Sequence, residues 1–213
     1  MDHQPRTTDS SEEKTTVTDE QTTMIDFGPT AQRVTALLSG VTDEQLSAPT
    51  PCGAYSVADL LDHFMGLALA MRQAAEKTTS AAGPAPGQGS ADRLDPDWRQ
   101  ELPRRLDALA VAWREPSAWL GTTEAGGVTM PAQMMGIVAL DELVIHGWDL
   151  ARATGQPYDC DPRSVETIIE WLAAVPDEER PKELFGPMVP VPADASPLDR
   201  AIALSGRDPG WRA

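Results

Sequence analysis

Cysteine, long apolar runs and basic residues are all scarce in this sequence. Cys52 and Cys160 are the only cysteines among 213 residues. Two are too few for a disulfide framework, so both are expected to be reduced thiols. No apolar run approaches the roughly 18 residues that a membrane span needs, and the N-terminus lacks the basic-then-apolar pattern of a signal peptide. We therefore expect a cytoplasmic protein that does not bind membranes.

The shortage of basic residues further restricts the classes of molecule that the protein is expected to bind. The chain has 17 Lys and Arg against 33 Asp and Glu, a net charge of -16. Such a field repels phosphate backbones, so no nucleic-acid binding is expected. A phosphate-binding glycine loop and a serine-nucleophile motif are also missing. A small-molecule substrate is the expected partner, and the number of subunits stays open, a homodimer included.

The chain divides into a tail and one domain. Residues 1–24 are rich in Thr, Ser, Asp and Glu and contain few large apolar groups, so we expect a disordered polar tail that includes His3. Residues 25–213 contain helical patterns throughout and form the second unit. At this length, a single domain can bury a substantial core.

Four long patterns predict the principal helices, and two shorter patterns follow them. The segment before the second helix offers Ser56 and Asp59 as a capping box, and the fourth helix should begin near Pro131 and end at Gly155. Pro103 is expected to interrupt the third helix early, and Pro116 to interrupt it near its end. We find no strand alternation, and "GTTEAGGVTM" is interpreted as a turn-rich excursion. The sequence predicts an all-α fold, a four-helix bundle with short additional C-terminal helices.

The fourth helix contains acids and a histidine within an apolar segment. No Lys or Arg occurs between Met134 and Ala151, which is typical of a buried helix. Glu142 and His146 are four residues apart and therefore lie on one face. A buried acid without a partner costs about 3–5 kcal/mol, and a divalent cation would satisfy Glu142.

The second helix supplies a third candidate ligand. His63 lies on the apolar stripe of "DLLDHFMG", and facing helices that present His, Glu and His are one way in which bundles build metal sites. A satisfied core histidine and a solvated Glu142–His146 pair remain the alternative. Three N/O ligands with an open position are typical of catalytic zinc and also fit two-His-one-carboxylate iron.

Other residues could complete the site. Cys52 either approaches the metal or is a small buried side chain. Asp149 is a candidate to accept the second ring N–H of His146 and so fix its tautomer. Arg207 either binds a substrate carboxylate or forms an ion pair with Asp208 or an acid of the bundle. The methionines at positions 130, 134 and 135 are expected to line the core or a pocket.

Three blocks, "TPCGAYSVADLLDHFMG", "DELVIHGWDLARATGQP" and "SGRDPGW", resemble a known family. The chain is similar to the DinB/YfiT-like metalloprotein superfamily, in the actinobacterial metal-binding branch related to the N-terminal domain of mycothiol-dependent maleylpyruvate isomerase. The resemblance covers residues 25–213 and implies a DinB-like four-helix bundle. It implies a divalent metal held by His63, Glu142 and His146, with zinc as the expected ion and nickel or iron as alternatives.

The resemblance also implies a chemistry. In such proteins the metal holds a low-molecular-weight thiol such as mycothiol as its thiolate, a strong nucleophile. We therefore expect a metal-dependent thiol S-transferase or thiol-assisted isomerase that acts on a small electrophilic metabolite. The isomerase has a further C-terminal domain that this sequence has no room for, so activity on maleylpyruvate is not expected. A hydrolase with metal-bound water and a non-catalytic metal- or small-molecule-binding accessory protein are the alternatives.

Overall fold

The computed structural model describes residues 24–53, 55–78, 88–176 and 186–213. The predicted disordered tail lies outside these residues, apart from Met24. The described residues form six α-helices and two short strands. In chain order they are α1 (Gly28–Leu38), α2 (Val57–Glu76), α3 (Trp98–Ala112), β1 (Thr122–Ala125), β2 (Val128–Pro131), α4 (Ala132–Thr154), α5 (Pro162–Ala173) and α6 (Pro197–Leu204).

The first four helices form the predicted bundle. Helix α2 packs against α3 and α4, and α1 packs against the same two helices. Helices α1 and α2 are therefore diagonal to each other, as are α3 and α4. Helix α5 packs on α4, and α6 packs on α5. The prediction of an all-α bundle with short additional C-terminal helices is confirmed.

A capping box begins helix α2 and so sets the register of the residues that follow. The hydroxyl of Ser56 accepts a hydrogen bond from the backbone N–H of Asp59 at 3.2 Å. The Asp59 carboxylate accepts one from the backbone N–H of Ser56 at 2.8 Å. These bonds satisfy backbone donors that have no partner inside the helix, and the predicted start of the helix is confirmed.

Helix α4 lies deep in the bundle and has the predicted ends. Pro131 occupies its N-cap position, and Gly155 ends it with φ of +69°, a left-handed conformation that glycine adopts without strain. Gly136 lets the helix approach its neighbours closely, because a Cβ there would lie 2.6 Å from the ring of Trp119. Neither α4 nor any other helix in the described ranges is both long and apolar enough to cross a membrane.

Pro103 does not interrupt α3, so that expectation was wrong. The helix passes through Pro103 and ends at Ala112, and a 3₁₀ turn at Pro116–Trp119 follows. A proline inside a helix removes one backbone hydrogen bond. Leu102 and Leu106, on either side of it, are completely buried, and this packing keeps the segment helical.

The interpretation of residues 121–130 as strandless was also wrong. Strands β1 and β2 pair antiparallel, with Thr122 opposite Pro131 and Ala125 opposite Val128. Gly126 and Gly127 join them with φ of +60° and +79°. Two consecutive residues with positive φ favour the tight turn that matches the twist of a hairpin. The hairpin leads directly into α4 and forms one wall above the candidate site.

Candidate metal centre

His63 on α2 and Glu142 and His146 on α4 meet inside the bundle. The Oε2 atom of Glu142 lies 3.2 Å from Nε2 of His63 and 3.2 Å from Nε2 of His146. The two imidazole rings are edge to face, with their centroids 4.9 Å apart. One donor atom from each residue falls within 4.8 Å of the other two. The structure therefore brings together the three residues selected from the sequence.

The donor set fits a divalent metal ion. Two ligand atoms that each lie ~2.1 Å from one tetrahedral ion are ~3.4 Å apart, close to the 3.2 Å separations of Glu142 Oε2 from the two imidazole nitrogens. Two imidazoles and one carboxylate suit zinc, nickel or ferrous iron. Three protein ligands leave a position for a further molecule.

The protonation states of Glu142 and His146 are set by their burial and by the polar groups that contact them. Burial alone would raise the pKa of Glu142, but hydrogen bonds with His146 and His63 hold that pKa well below its usual range. Burial disfavours the charged form of His146, yet hydrogen bonds to Asp149 and Glu142 raise its pKa to about 9. Without a metal, His146 is therefore an imidazolium between two carboxylates at neutral pH. A metal at Nε2 has to displace that proton.

Asp149 and Arg207 support His146 on the Nδ1 side of its ring, whereas Glu142 lies on the Nε2 side. Asp149 is completely buried, and one of its carboxylate oxygens lies 2.9 Å from Nδ1 of His146. Arg207 donates from Nε to both oxygens of Asp149 at 3.1 Å. Of the partners considered for Arg207, the structure shows an acid of the bundle. Because Nδ1 is engaged by Asp149, Nε2 of His146 is left to face Glu142 and His63.

Two further polar groups at the centre are the second ring nitrogen of His63 and the thiol of Cys52. The Nδ1 atom of His63 is buried and, within the described residues, has no hydrogen-bond partner, so His63 lacks the support that His146 receives. The thiol of Cys52 lies within 4.8 Å of donor atoms of His146 and Asp149. Burial raises the pKa of this thiol to about 11, and both cysteines are free. Cys52 thus approaches the centre behind His146, on the Asp149 side.

A cavity of about 500 Å³ opens onto the metal-ligand candidates. Helix α2, the hairpin, α4 and the end of α5 provide its walls, and Arg207 also borders it. Met130, Met134 and Met135, which were expected in the core or in a pocket wall, line this cavity. A cavity of this size, mostly apolar with a few convergent polar groups, is typical of a small-molecule site.

Asp141 is a polar residue of this cavity that the sequence reasoning missed. It is only 7 % exposed, and its Oδ1 atom has no hydrogen-bond partner among the described residues. Burial, followed by the nearby charge of Glu142, raises the pKa of Asp141 to about 7. The signal was its position directly before Glu142 in a segment without basic residues. An unpaired buried acid is costly, which is typical of a functional position.

Comparison with known proteins finds two similar sequences. Two uncharacterized proteins of Mycobacterium tuberculosis, one from strain H37Rv and one from strain CDC 1551, are each 29% identical over 182 residues. The match covers 81% of this chain and 90% of each relative. No solved structure matches the chain significantly.

A family model covers the bundle itself. Residues 27–151 match the model described as "Mycothiol maleylpyruvate isomerase N-terminal domain". The matched range begins at Phe27, just before α1, and ends in the last turn of α4, so it includes His63, Glu142 and His146. The chain therefore belongs to the family of the mycothiol maleylpyruvate isomerase N-terminal domain.

Proposed function

We propose that the protein is a metal-dependent enzyme that activates a low-molecular-weight thiol, such as mycothiol, for reaction with a small electrophile. The observation that carries the proposal is the convergence of His63, Glu142 and His146 at the floor of a cavity. Mycothiol, in the description of the family, supports a thiol as the cosubstrate. Both thiol S-transfer and thiol-assisted isomerisation follow from this chemistry.

Each residue of the centre has a distinct task in this proposal. His63, Glu142 and His146 would hold the ion, with zinc as the expected metal. When bound, the metal supplies the Lewis acidity that lowers the pKa of a thiol and keeps it as the thiolate at neutral pH.

The residues around the three candidate ligands would orient them and stabilise their charges. Asp149 would accept a hydrogen bond from Nδ1–H of His146 and so leave Nε2 as the nitrogen that binds the metal. Arg207 compensates the buried charge of Asp149. The apolar walls of the cavity exclude water, which strengthens electrostatic interactions inside it.

The proposed reaction is an attack of the thiol sulfur on an electrophilic carbon. The thiol loses its proton, and its sulfur donates an electron pair to form a bond to an electrophilic carbon. The electron pair displaced from that carbon leaves with a leaving group in S-transfer, or moves along a conjugated system and takes up a proton. In an isomerisation, the adduct rotates about its new single bond and then loses the proton it had taken up. The electron pair of that C–H bond re-forms the double bond, and the sulfur leaves with the electron pair of the C–S bond and is protonated to the thiol.

The test uses full-length, zinc-loaded protein with mycothiol and 1-chloro-2,4-dinitrobenzene as a model electrophile. Formation of the thioether should accelerate in proportion to protein and fall by about 10²-fold or more in Glu142→Gln, which removes a ligand charge but keeps the shape. Glu170→Gln on α5, away from the centre, is the matched control and should retain the rate. Equal rates with and without protein, for this and a panel of other electrophiles, would contradict the proposal.

A further inference from the structure

The cavity above the metal-ligand candidates separates polar from apolar surface. Its charged and imidazole side chains among the described residues are His63, Asp141, Glu142, His146 and Arg207. Three of these are the candidate ligands, Asp141 adjoins Glu142 in sequence, and Arg207 is linked to His146 through Asp149. Towards the hairpin the lining is apolar. A ligand that fills the cavity therefore needs a polar end at the centre and an apolar body.

The length of the apolar part follows from the course of α4. Met134 and Val138 on this helix line the cavity before Asp141 and Glu142 do. At 1.5 Å per residue, the eight residues from Met134 to Glu142 span ~12 Å. An alkyl or aryl group of medium size fits this length, whereas a molecule of two or three carbons leaves much of the cavity unfilled.

The character of the walls favours an apolar occupant over water. Met71, Met130, Met134 and Met135 contribute flexible, polarisable side chains that adapt to apolar ligands of different shapes. Water in such a region would lack the two to four polar partners that an ordered buried water needs. Transfer of apolar groups from solvent into this space is therefore favourable.

Asp141 provides the polar feature that a ligand could satisfy. Its Oδ1 atom lies in the buried wall without a hydrogen-bond partner in the described structure, between the apolar lining and Glu142. Asp141 is one of the residues that line the cavity, so a ligand in the cavity would lie next to this side chain. A hydroxyl or N–H group of the ligand would remove the cost of leaving it unpaired.

We propose that the cavity binds a medium-sized apolar molecule, alkyl or aryl, whose hydrogen-bond donor pairs with Asp141. The cavity itself supports the binding of such a molecule, whatever reaction the protein catalyses. Its assignment as the electrophilic substrate class rests on the proposed function, in which the electrophilic carbon would lie near His63, Glu142 and His146. The protein would then act on apolar metabolites that carry a hydroxyl or N–H group close to the reacting carbon.

Primary alcohols from 1-butanol to 1-octanol are suitable probes, because they combine an alkyl chain with one hydroxyl. Binding to the full-length protein is measured by titration calorimetry. We expect the dissociation constant to fall about fourfold with each added methylene until the cavity is full. A dissociation constant that does not change with chain length would overturn the proposal.

Substitutions locate the binding in the cavity. Val138→Trp fills the space and should abolish binding of 1-octanol, whereas Val111→Trp, at a half-exposed position on α3, is the matched control and should bind normally. Met134→Glu is a second cavity variant, at a position 39% exposed where a charge is tolerated, and it should weaken binding about tenfold or more. Wild-type affinity in both folded cavity variants would overturn the assignment.

An isomeric pair of ligands tests Asp141. 1-Hexanol and methyl pentyl ether have the same atoms, but only the alcohol donates a hydrogen bond. The wild type should bind the alcohol about tenfold more tightly, and Asp141→Leu should bind both equally. An unchanged preference in Asp141→Leu would contradict the role of this residue.

The outcome is independent of the thiol chemistry. Alcohol binding requires neither thiol nor turnover, so it can succeed where the proposed function fails. Conversely, thiol-dependent turnover of a panel of electrophiles without any chain-length dependence of binding would support the proposed function and overturn this inference.

Discussion

Arg207 lies in the segment that follows α6 and forms an ion pair with Asp149 on α4. Its Nε atom is 3.1 Å from both carboxylate oxygens of Asp149. The residues are 58 positions apart in the chain. Asp149 in turn contacts Nδ1 of His146. The C-terminal segment thereby reaches the candidate metal centre through one buried ion pair and one hydrogen bond.

Substitution of Arg207 should weaken metal binding, although Arg207 is not itself a candidate metal ligand. In Arg207→Gln the carboxylate of Asp149 stays buried without its cation, which costs about 3–5 kcal/mol of stability. The support of His146 loosens, so zinc affinity should fall by about 10- to 100-fold. Urea unfolding and a zinc competition titration measure the two effects.

Arg104→Gln is the matched control for this variant. Arg104 forms an exposed ion pair with Glu101 on α3, and such pairs contribute about 0–1 kcal/mol. If both arginine variants lose equal stability and keep wild-type zinc affinity, the Arg207–Asp149 pair does not support the centre.

Metal affinity should rise steeply with pH. The pKa of His146 is raised to about 9 in the metal-free fold. Its proton therefore stabilises the metal-free protein fully below pH 6.5, and this contribution is lost as the pH rises through about 9. Because zinc must displace that proton, we expect its affinity to increase by close to tenfold per pH unit between pH 6.5 and 8.5.

Calorimetry in two buffers of different ionisation enthalpy checks this expectation by counting protons. At pH 7.5, zinc binding should release about one proton from His146. A pH-independent affinity with no proton release would show that His146 is not an imidazolium that gives way to the metal.

Asp141 should destabilise the metal-free protein at alkaline pH. Its pKa is raised from 3.8 to about 7, so the cost of its charge is absent below pH 3.8 and grows as the pH rises to about 7. Asp141→Leu removes this cost, and its stability advantage over the wild type should grow by ~2–3 kcal/mol between pH 5 and pH 8.

Urea unfolding with a chelator present measures this advantage. Asp107→Leu, which changes an exposed aspartate on α3, is the control and should show a difference from the wild type that does not vary with pH. A constant difference for Asp141→Leu as well would mean that Asp141 is not a buried acid.

The bundle was predictable from the sequence because its signals are local. Helix α2 combines an apolar stripe with the Ser56–Asp59 capping box, and α4 ends at Gly155. The histidines at 63 and 146 stood out because each lies among apolar residues of its helix. Their convergence on Glu142 required only that two such helices pack side by side.

The features that were missed depend on contacts between distant segments. Asp141 is next to Glu142 in sequence, but whether it faces solvent or a cavity depends on how the hairpin and α5 cover α4. The partner of Arg207 was left open because 58 residues separate it from Asp149. The hairpin is the exception, because Gly126–Gly127, with Thr122 and Thr123 before it and Val128 and Thr129 after it, was a local signal of a hairpin.

The metal content of the purified protein tests the central claim most directly. Elemental mass spectrometry after reconstitution with zinc should find close to one ion per chain in the wild type and in His3→Ala, which changes the third histidine of the sequence. His146→Ala should retain almost none while keeping the helical circular dichroism spectrum. A wild type that stays empty, or a His146→Ala variant that holds as much zinc as the wild type, would contradict the assignment of His63, Glu142 and His146 as metal ligands.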